Sequence, residues 1–155
     1  MKRVASVMSL MIGALLLSNC NYSDSKMVKA CETALKERLL APSSYKRIEI
    51  DERKLTTNHE LYEARLIKRS QRDPSFTEEN IKDHLDRFDK GLSNPIVFAV
   101  FIEYDSANIY GTPMRYHAAC GYLDDSGDST QATEYTVEIN GKIVDEWRQS
   151  KEARY

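Results

Sequence analysis

From Met27 to Leu39 the apolar residues Met27, Val28, Cys31, Ala34, Leu35 and Leu39 recur at three- and four-residue spacing. They draw one stripe, the mark of an amphipathic helix. Lys29, Glu32, Lys36 and Glu37 fall off it, Glu32 and Lys36 form a favourable i,i+4 pair, and Ser23 or Asp24 can cap the start. The pattern predicts a helix over residues 24–41, stopped by Pro42, because a residue before proline disfavours helical dihedrals. The period then changes. In Tyr45-Lys46-Arg47-Ile48-Glu49-Ile50 the two isoleucines alternate with charges, as on a half-buried strand. Ile96–Tyr104 is β-branched and aromatic and starts apolar on both faces, so it should be a central strand. Met114–Leu123 is a further strand, with Tyr116, Ala118, Cys120 and Tyr122 on one face. Tyr135, Val137 and Ile139 alternate up to Asn140-Gly141, a type I′ signal leading into a strand over Lys142-Ile143-Val144. Trp147 should close the core edge, and Arg148–Tyr155 reads as a frayed tail.

Residues 51–93 have another texture: ten acids and nine bases among 43 positions. Leu61, Tyr62, Leu66 and Ile67 can form one helical face. Ser75-Phe76-Thr77-Glu78 has capping-box form ahead of Ile81, Leu85 and Phe88, and Gly91 suits the position after a helix. The expectation is one α+β domain over 26–148. It has a single antiparallel sheet of four to five strands packed against the N-terminal helix, with 51–93 as a charged helical insertion whose charges form a solvated face.

The start of the chain changes the picture of where this domain works. Met1-Lys2-Arg3 is a basic opening, and Val4–Leu17 is a fourteen-residue apolar run broken only by Ser6, Ser9 and Gly13. A membrane span needs about 20 apolar residues, so this run fits the core of a secretory leader over residues 1–19. Leu17-Ser18-Asn19-Cys20 follows and resembles a bacterial lipobox, with Asn19 departing from the pattern. The resemblance implies cleavage before Cys20 and its lipidation, with 20–25 as a polar tether and the membrane as partner through that anchor. Each buried lipid CH₂ contributes about 0.8 kcal/mol, so a multiply acylated cysteine holds firmly. Asn21, where an Asp would favour retention at the inner membrane, favours the outer membrane; cleavage by ordinary signal peptidase would instead leave a soluble periplasmic protein. The leader also carries Lys2 and Arg3 out of the count: 22 basic against 24 acidic residues is −2 for the whole chain and −4 without them. Neither value suits a nucleic-acid binder.

With Cys20 given to lipid, Cys31 and Cys120 remain, and one disulfide is their simplest use in an exported chain. Free thiols are the alternative. A zinc site built on Cys120 and His117 would need two further ligands from Cys31, His59 and His84.

The segment Tyr104–Arg115 concentrates turn chemistry: Asp105 and Asn108 can bond nearby amides, Gly111 permits positive φ, and Pro113 fixes φ. It reads as a shaped connection. As a recognition loop, it would offer Asp105, Asn108, Tyr110 and Arg115. Asp124-x-Ser126-x-Asp128-x-Thr130 places oxygens at alternate positions, but the calcium-loop glycine and closing glutamate are out of place, so a solvated turn is expected. No nucleophile elbow, zinc-protease helix or phosphate loop is present, so no catalytic, metal or cofactor site is assigned.

The helix cysteine Cys31, Leu39, Ala41 to Lys46, then Tyr104, Asp105, Asn108, Tyr110, Gly111, Pro113, Arg115 and Cys120 make a pattern. It resembles a group of small uncharacterised bacterial exported proteins and lipoproteins over about residues 31–50 and 96–123. The resemblance implies an envelope location and a helix-to-sheet cysteine pair; it implies no activity. The expected function is a non-catalytic envelope lipoprotein that binds another envelope protein or the cell wall. The alternative is a small periplasmic hydrolase using acids or His117.

Overall fold

The computed structural model describes residues 24–152. The leader, Cys20 and the start of the tether lie outside the described residues, as do the last three residues of the expected tail. Helix α1 (Lys26–Lys36) is capped by Ser25, whose hydroxyl accepts from the Val28 N–H at 3.0 Å. Its stripe is the expected one: Met27, Val28, Cys31, Ala34 and Leu35 are buried. It ends five residues earlier than expected. Three-residue turns at Arg38 and Leu39 release the chain there, Leu39 folds back against the core, and Pro42 opens a 3₁₀ turn over Pro42–Ser44.

Strands β1 (Lys46–Thr56), β2 (Ile96–Ala107), β3 (Pro113–Asp124) and β4 (Glu138–Ile139) form one antiparallel sheet in that order. The protein is thus α+β, with α1 on one face of a four-stranded sheet. β1 runs six residues past the expected end, so the insertion starts after Thr56 rather than at 51. The strand hides behind its charges because it is an edge. The Lys54 ammonium lies 5.4 Å from the Phe98 ring centroid and the Arg53 guanidinium 5.3 Å from that of Phe101, so long cationic side chains cover rings that apolar residues would otherwise cover.

Phe98, Val100, Ile102 and Tyr104 of β2, with Ala118 and Cys120 of β3, form the face under α1. The Cys31–Cys120 disulfide joins helix to sheet across 89 residues, with its Cα atoms 5.9 Å apart. Both sulfurs are thereby withdrawn from metal binding and nucleophilic use. Val137, Ile139 and Val144 close the core.

The Asn140-Gly141 turn has positive φ at both residues, 50° and 81°, as a type I′ turn requires. The strand expected after it shrinks to one bridge, Ile139 to Lys142. The chain turns instead into helix α4 (Val144–Glu152), where strand end and tail were expected. Asp145 and Glu146 occupy its first turn, and Glu146 Oε2 accepts the Ile143 N–H at 3.0 Å. Trp147 is half-buried on this helix between the side chains of Arg38 and Lys151.

The insertion is two helices, α2 (His59–Arg72) and α3 (Glu78–Asp89). Asn58 caps α2. At α3 the capping residues are Thr77 and Asn80, not Ser75 and Glu78: the Thr77 N–H donates to Asn80 Oδ1 at 2.8 Å, while Ser75 is held by Asp73. Gly91 (φ 68°) ends α3, with N–H bonds from Leu92 to the Arg87 carbonyl and from Gly91 to that of Phe88. Tyr62, Leu66 and Phe76 form a second small core with Ile81, Leu85, Phe88 and Leu123. Leu61 and Ile67, expected on that face, are exposed.

One polar network ties α1 to the sheet edge. Glu32 accepts from the Tyr45 hydroxyl at 2.5 Å and from Arg47 Nε at 2.8 Å, and Arg47 also grips Asp24. Burial pushes the Glu32 carboxyl up, but the hydrogen bonds from Arg47 and Tyr45 outweigh it and hold the group below the usual glutamate value. A carboxyl depressed in the fold gives stability that is complete above its unfolded pKa and is lost as pH falls through the folded value. Glu32→Gln should therefore flatten the acid limb of a stability-versus-pH curve at and below about pH 4. An unchanged acid limb would show that Glu32 does not contribute to it.

Candidate functional site

The four residues of the expected recognition loop do not converge. Asp105 and Arg115 sit opposite each other in paired strands. Arg115 Nε donates to Asp105 Oδ1 at 2.6 Å and Nη1 to Glu103 Oε1 at 2.7 Å, which knots β2 to β3 and keeps the Asp105 carboxyl below its ordinary range. Asn108 builds the turn: its Oδ1 accepts the N–H groups of Tyr110 (2.9 Å) and Thr112 (3.0 Å), and Gly111 takes φ 78°. Only Tyr110 is presented. With Ile109 it makes an exposed tip at the end of the hairpin, 83% and 72% accessible. Tyr104 lies on the core face, stacked on Tyr116 and tilted against Tyr45.

On the sheet face away from α1, Glu49, Asp51, Phe101, Glu103, His117 and Asn140 line a shallow depression of about 400 Å³. Phe101 is 42% exposed there. Asp51 is held by Arg53 and Glu103 by Arg115. His117 is exposed and makes no hydrogen bond to a described residue. The depression gathers carboxylates beside an imidazole, but no carboxylate orients that imidazole, and no serine or cysteine lines the space.

A second, larger cleft lies between α2 and the β3–β4 edge, about 530 Å³ in volume. Its walls include Arg65, Arg69 and Arg72 from α2, Gly121 to Asp125 along β3 and just beyond, and Gln131, Tyr135 and Thr136. Glu138, with its side chain 11% exposed, pins α2 to the sheet. Arg65 donates to it at 2.9 Å, Lys68 at 3.1 Å and Arg72 at 2.5 Å, and Arg72 also reaches Glu146 at 2.8 Å. At the far end the buried Tyr62 hydroxyl donates to Asp125 Oδ1 at 2.6 Å, and His84 Nδ1 stands 3.0 Å from the same hydroxyl. Burial and the Asp125 carboxylate both push the Tyr62 phenol well above its ordinary value, so it stays a donor.

The cleft was not expected from the chain. Its trace in the sequence is the spacing of Arg65, Lys68, Arg69 and Arg72, a basic stripe on one helical face, within a segment whose charges were read as solvated. The Asp124–Thr130 oxygens act as turn acceptors: Asp124 Oδ1 takes the N–H groups of Ser126 and Asp128, and Asp128 that of Thr130. Among the described residues no group of three His, Cys, Asp or Glu side chains is placed to hold a metal ion, and no helix is long and apolar enough to cross a membrane. No family model, curated protein or solved structure matches the chain.

Proposed function

We propose that this chain is a non-catalytic lipoprotein of the bacterial cell envelope, anchored through Cys20 and serving as a binding module for an envelope protein. The observation that carries the reading is the buried Cys31–Cys120 disulfide. Disulfides persist in oxidising compartments, and this one sits behind a leader whose last residues resemble a lipobox. The binding part draws on how polar side chains are spent. Arg115, Asn108, Asp124 and Glu138 hold the fold together, while the hydrophobic tip at Ile109–Tyr110 and the cleft beside α2 are left open. A hydrolase reading draws on the depression at His117; the imidazole there lacks an orienting partner, which makes it the weaker of the two.

The anchor is tested by detergent phase partition of the full chain expressed in a bacterium. The wild-type protein should enter the detergent phase and Cys20→Ser the aqueous phase. Equal partition of the two would overturn the lipid anchor.

A further inference from the structure

We infer that the uncharged end of the sheet, led by Ile109 and Tyr110, rests in the headgroup interface of the bilayer that holds Cys20. This rests on the lipid anchor proposed above. It gives the hairpin tip to the membrane and leaves the cleft beside α2 as the open surface for a partner. The sequence supplies the first argument. In a chain with 30% charged residues, residues 39–45 and 106–114 carry no charge. The fold brings these two segments together: Ser44 Oγ accepts the Ala107 N–H at 2.8 Å and meets Ser106 Oγ at 3.0 Å. Leu40, Ile109, Tyr110 and Met114 are exposed on them. The opposite end of the sheet carries Asp124, Asp125 and Asp128, with Asp83 and Arg87 of α3 beside Asp125. Charge is costly to bring against hydrocarbon, so one end of the domain suits lipid and the other suits water.

The turn itself suits that setting. The Asn108 N–H donates to the Thr112 carbonyl at 2.9 Å and the Gly111 N–H to the Asn108 carbonyl at 3.0 Å, while Asn108 Oδ1 takes the Tyr110 and Thr112 amides. Pro113 has no amide proton. Backbone groups already bonded cost less to take out of water. Tyrosine joins an apolar ring to a polar hydroxyl, the form enriched at membrane interfaces. The tether sets the distance. Cys20 lies four residues before Asp24, a span of at most about 14 Å. Ser25 bonds Glu52 and Asp24 bonds Arg47, so the described chain nears the uncharged end of β1 as it nears Cys20. Arg47 pairs with Tyr104, three positions before β2 ends at Ala107, or about 10 Å along the strand. The turn beyond Ala107 adds a few ångströms, so tip and anchor can reach one plane.

The test uses the lipidated protein recovered from the cell envelope. It is reconstituted in vesicles of phosphatidylethanolamine and phosphatidylglycerol, with some acyl chains carrying doxyl quenchers. Trp147→Phe removes the native indole. In that background Tyr110→Trp places an indole at the tip, and Leu92→Trp places one at an exposed position of the opposite end. Flotation of the vesicles reports the anchor separately. Emission from the Tyr110→Trp protein should shift to the blue and be quenched about twofold or more, while that from the Leu92→Trp protein should stay as in water. Protein that fails to float would overturn the anchor and this inference together. Flotation with an unquenched tip would overturn this inference alone and return Ile109 and Tyr110 to a protein partner. Equal quenching of the two variants would overturn the assignment of the uncharged end to the membrane.

Discussion

Removing the disulfide with Cys31→Ala and Cys120→Ala together should lower the unfolding free energy by about 4 kcal/mol, since a cross-link closing a loop this long constrains the unfolded chain by roughly that amount. The loop spans 89 residues and contains β1, both insertion helices, β2 and most of β3. Both cysteines are almost fully buried between α1 and the sheet, so the alanines also leave a small void in the main core. Small domains have only about 5–15 kcal/mol to lose, so the variant should unfold at much lower urea concentration, with a steeper slope because the unlinked unfolded chain exposes more surface. Reductant should reproduce the shift in the wild-type protein and leave the variant unmoved. A change below about 1 kcal/mol would show that the native fold does not depend on the link.

Glu138→Ala should have the second largest effect, about 3 kcal/mol, because removing one partner of a buried ion pair leaves uncompensated charge. Here one carboxylate gathers three cations, Arg65, Lys68 and Arg72, and without it they face one another across a few ångströms with only Glu146 remaining. The loss should be local first. α2 and α3 touch the sheet through few apolar groups, chiefly Leu123, and depend on this cluster and on the Tyr62–Asp125 bond for their seat. Hydrogen exchange in residues 59–89 should therefore accelerate more than exchange in β2 and β3. Glu146→Gln, which removes the charge of a more exposed carboxylate bonded to Arg72 and to the Ile143 N–H, should cost less. Uniform acceleration over the whole domain would contradict this seating of the insertion.

Those two contrasts bear on what the chain made legible. The α1 stripe, the central strands and the Asn140-Gly141 turn follow from periodicity and backbone preference, and they stand where the pattern puts them. Only the first half of β1 shows in the pattern, because on this edge strand Arg53 and Lys54 lie over aromatic rings and do the covering that apolar residues do elsewhere. α4 was missed because Ile143 and Val144 read as strand, while the helix start is set by Glu146 accepting an amide and meeting Arg72 from a distant helix. The same non-local pairing hid the cleft. Charges read as solvated are committed to Glu138, a residue more than sixty positions away. In the Tyr104–Arg115 segment the residue types predict turn chemistry, which Asn108 supplies, while Asp105 and Arg115 pair across the strands and leave Tyr110 with Ile109 at the surface.

The central claim is that this is an exported, disulfide-stapled domain held to a membrane by Cys20. Intact mass spectrometry of the protein recovered from the cell envelope tests it most directly. The predicted mass is that of a chain beginning at Cys20, increased by the acyl groups and reduced by the two hydrogens of the Cys31–Cys120 bond. A chain that keeps Met1 with free thiols, or one that begins beyond Cys20 without lipid, would contradict it.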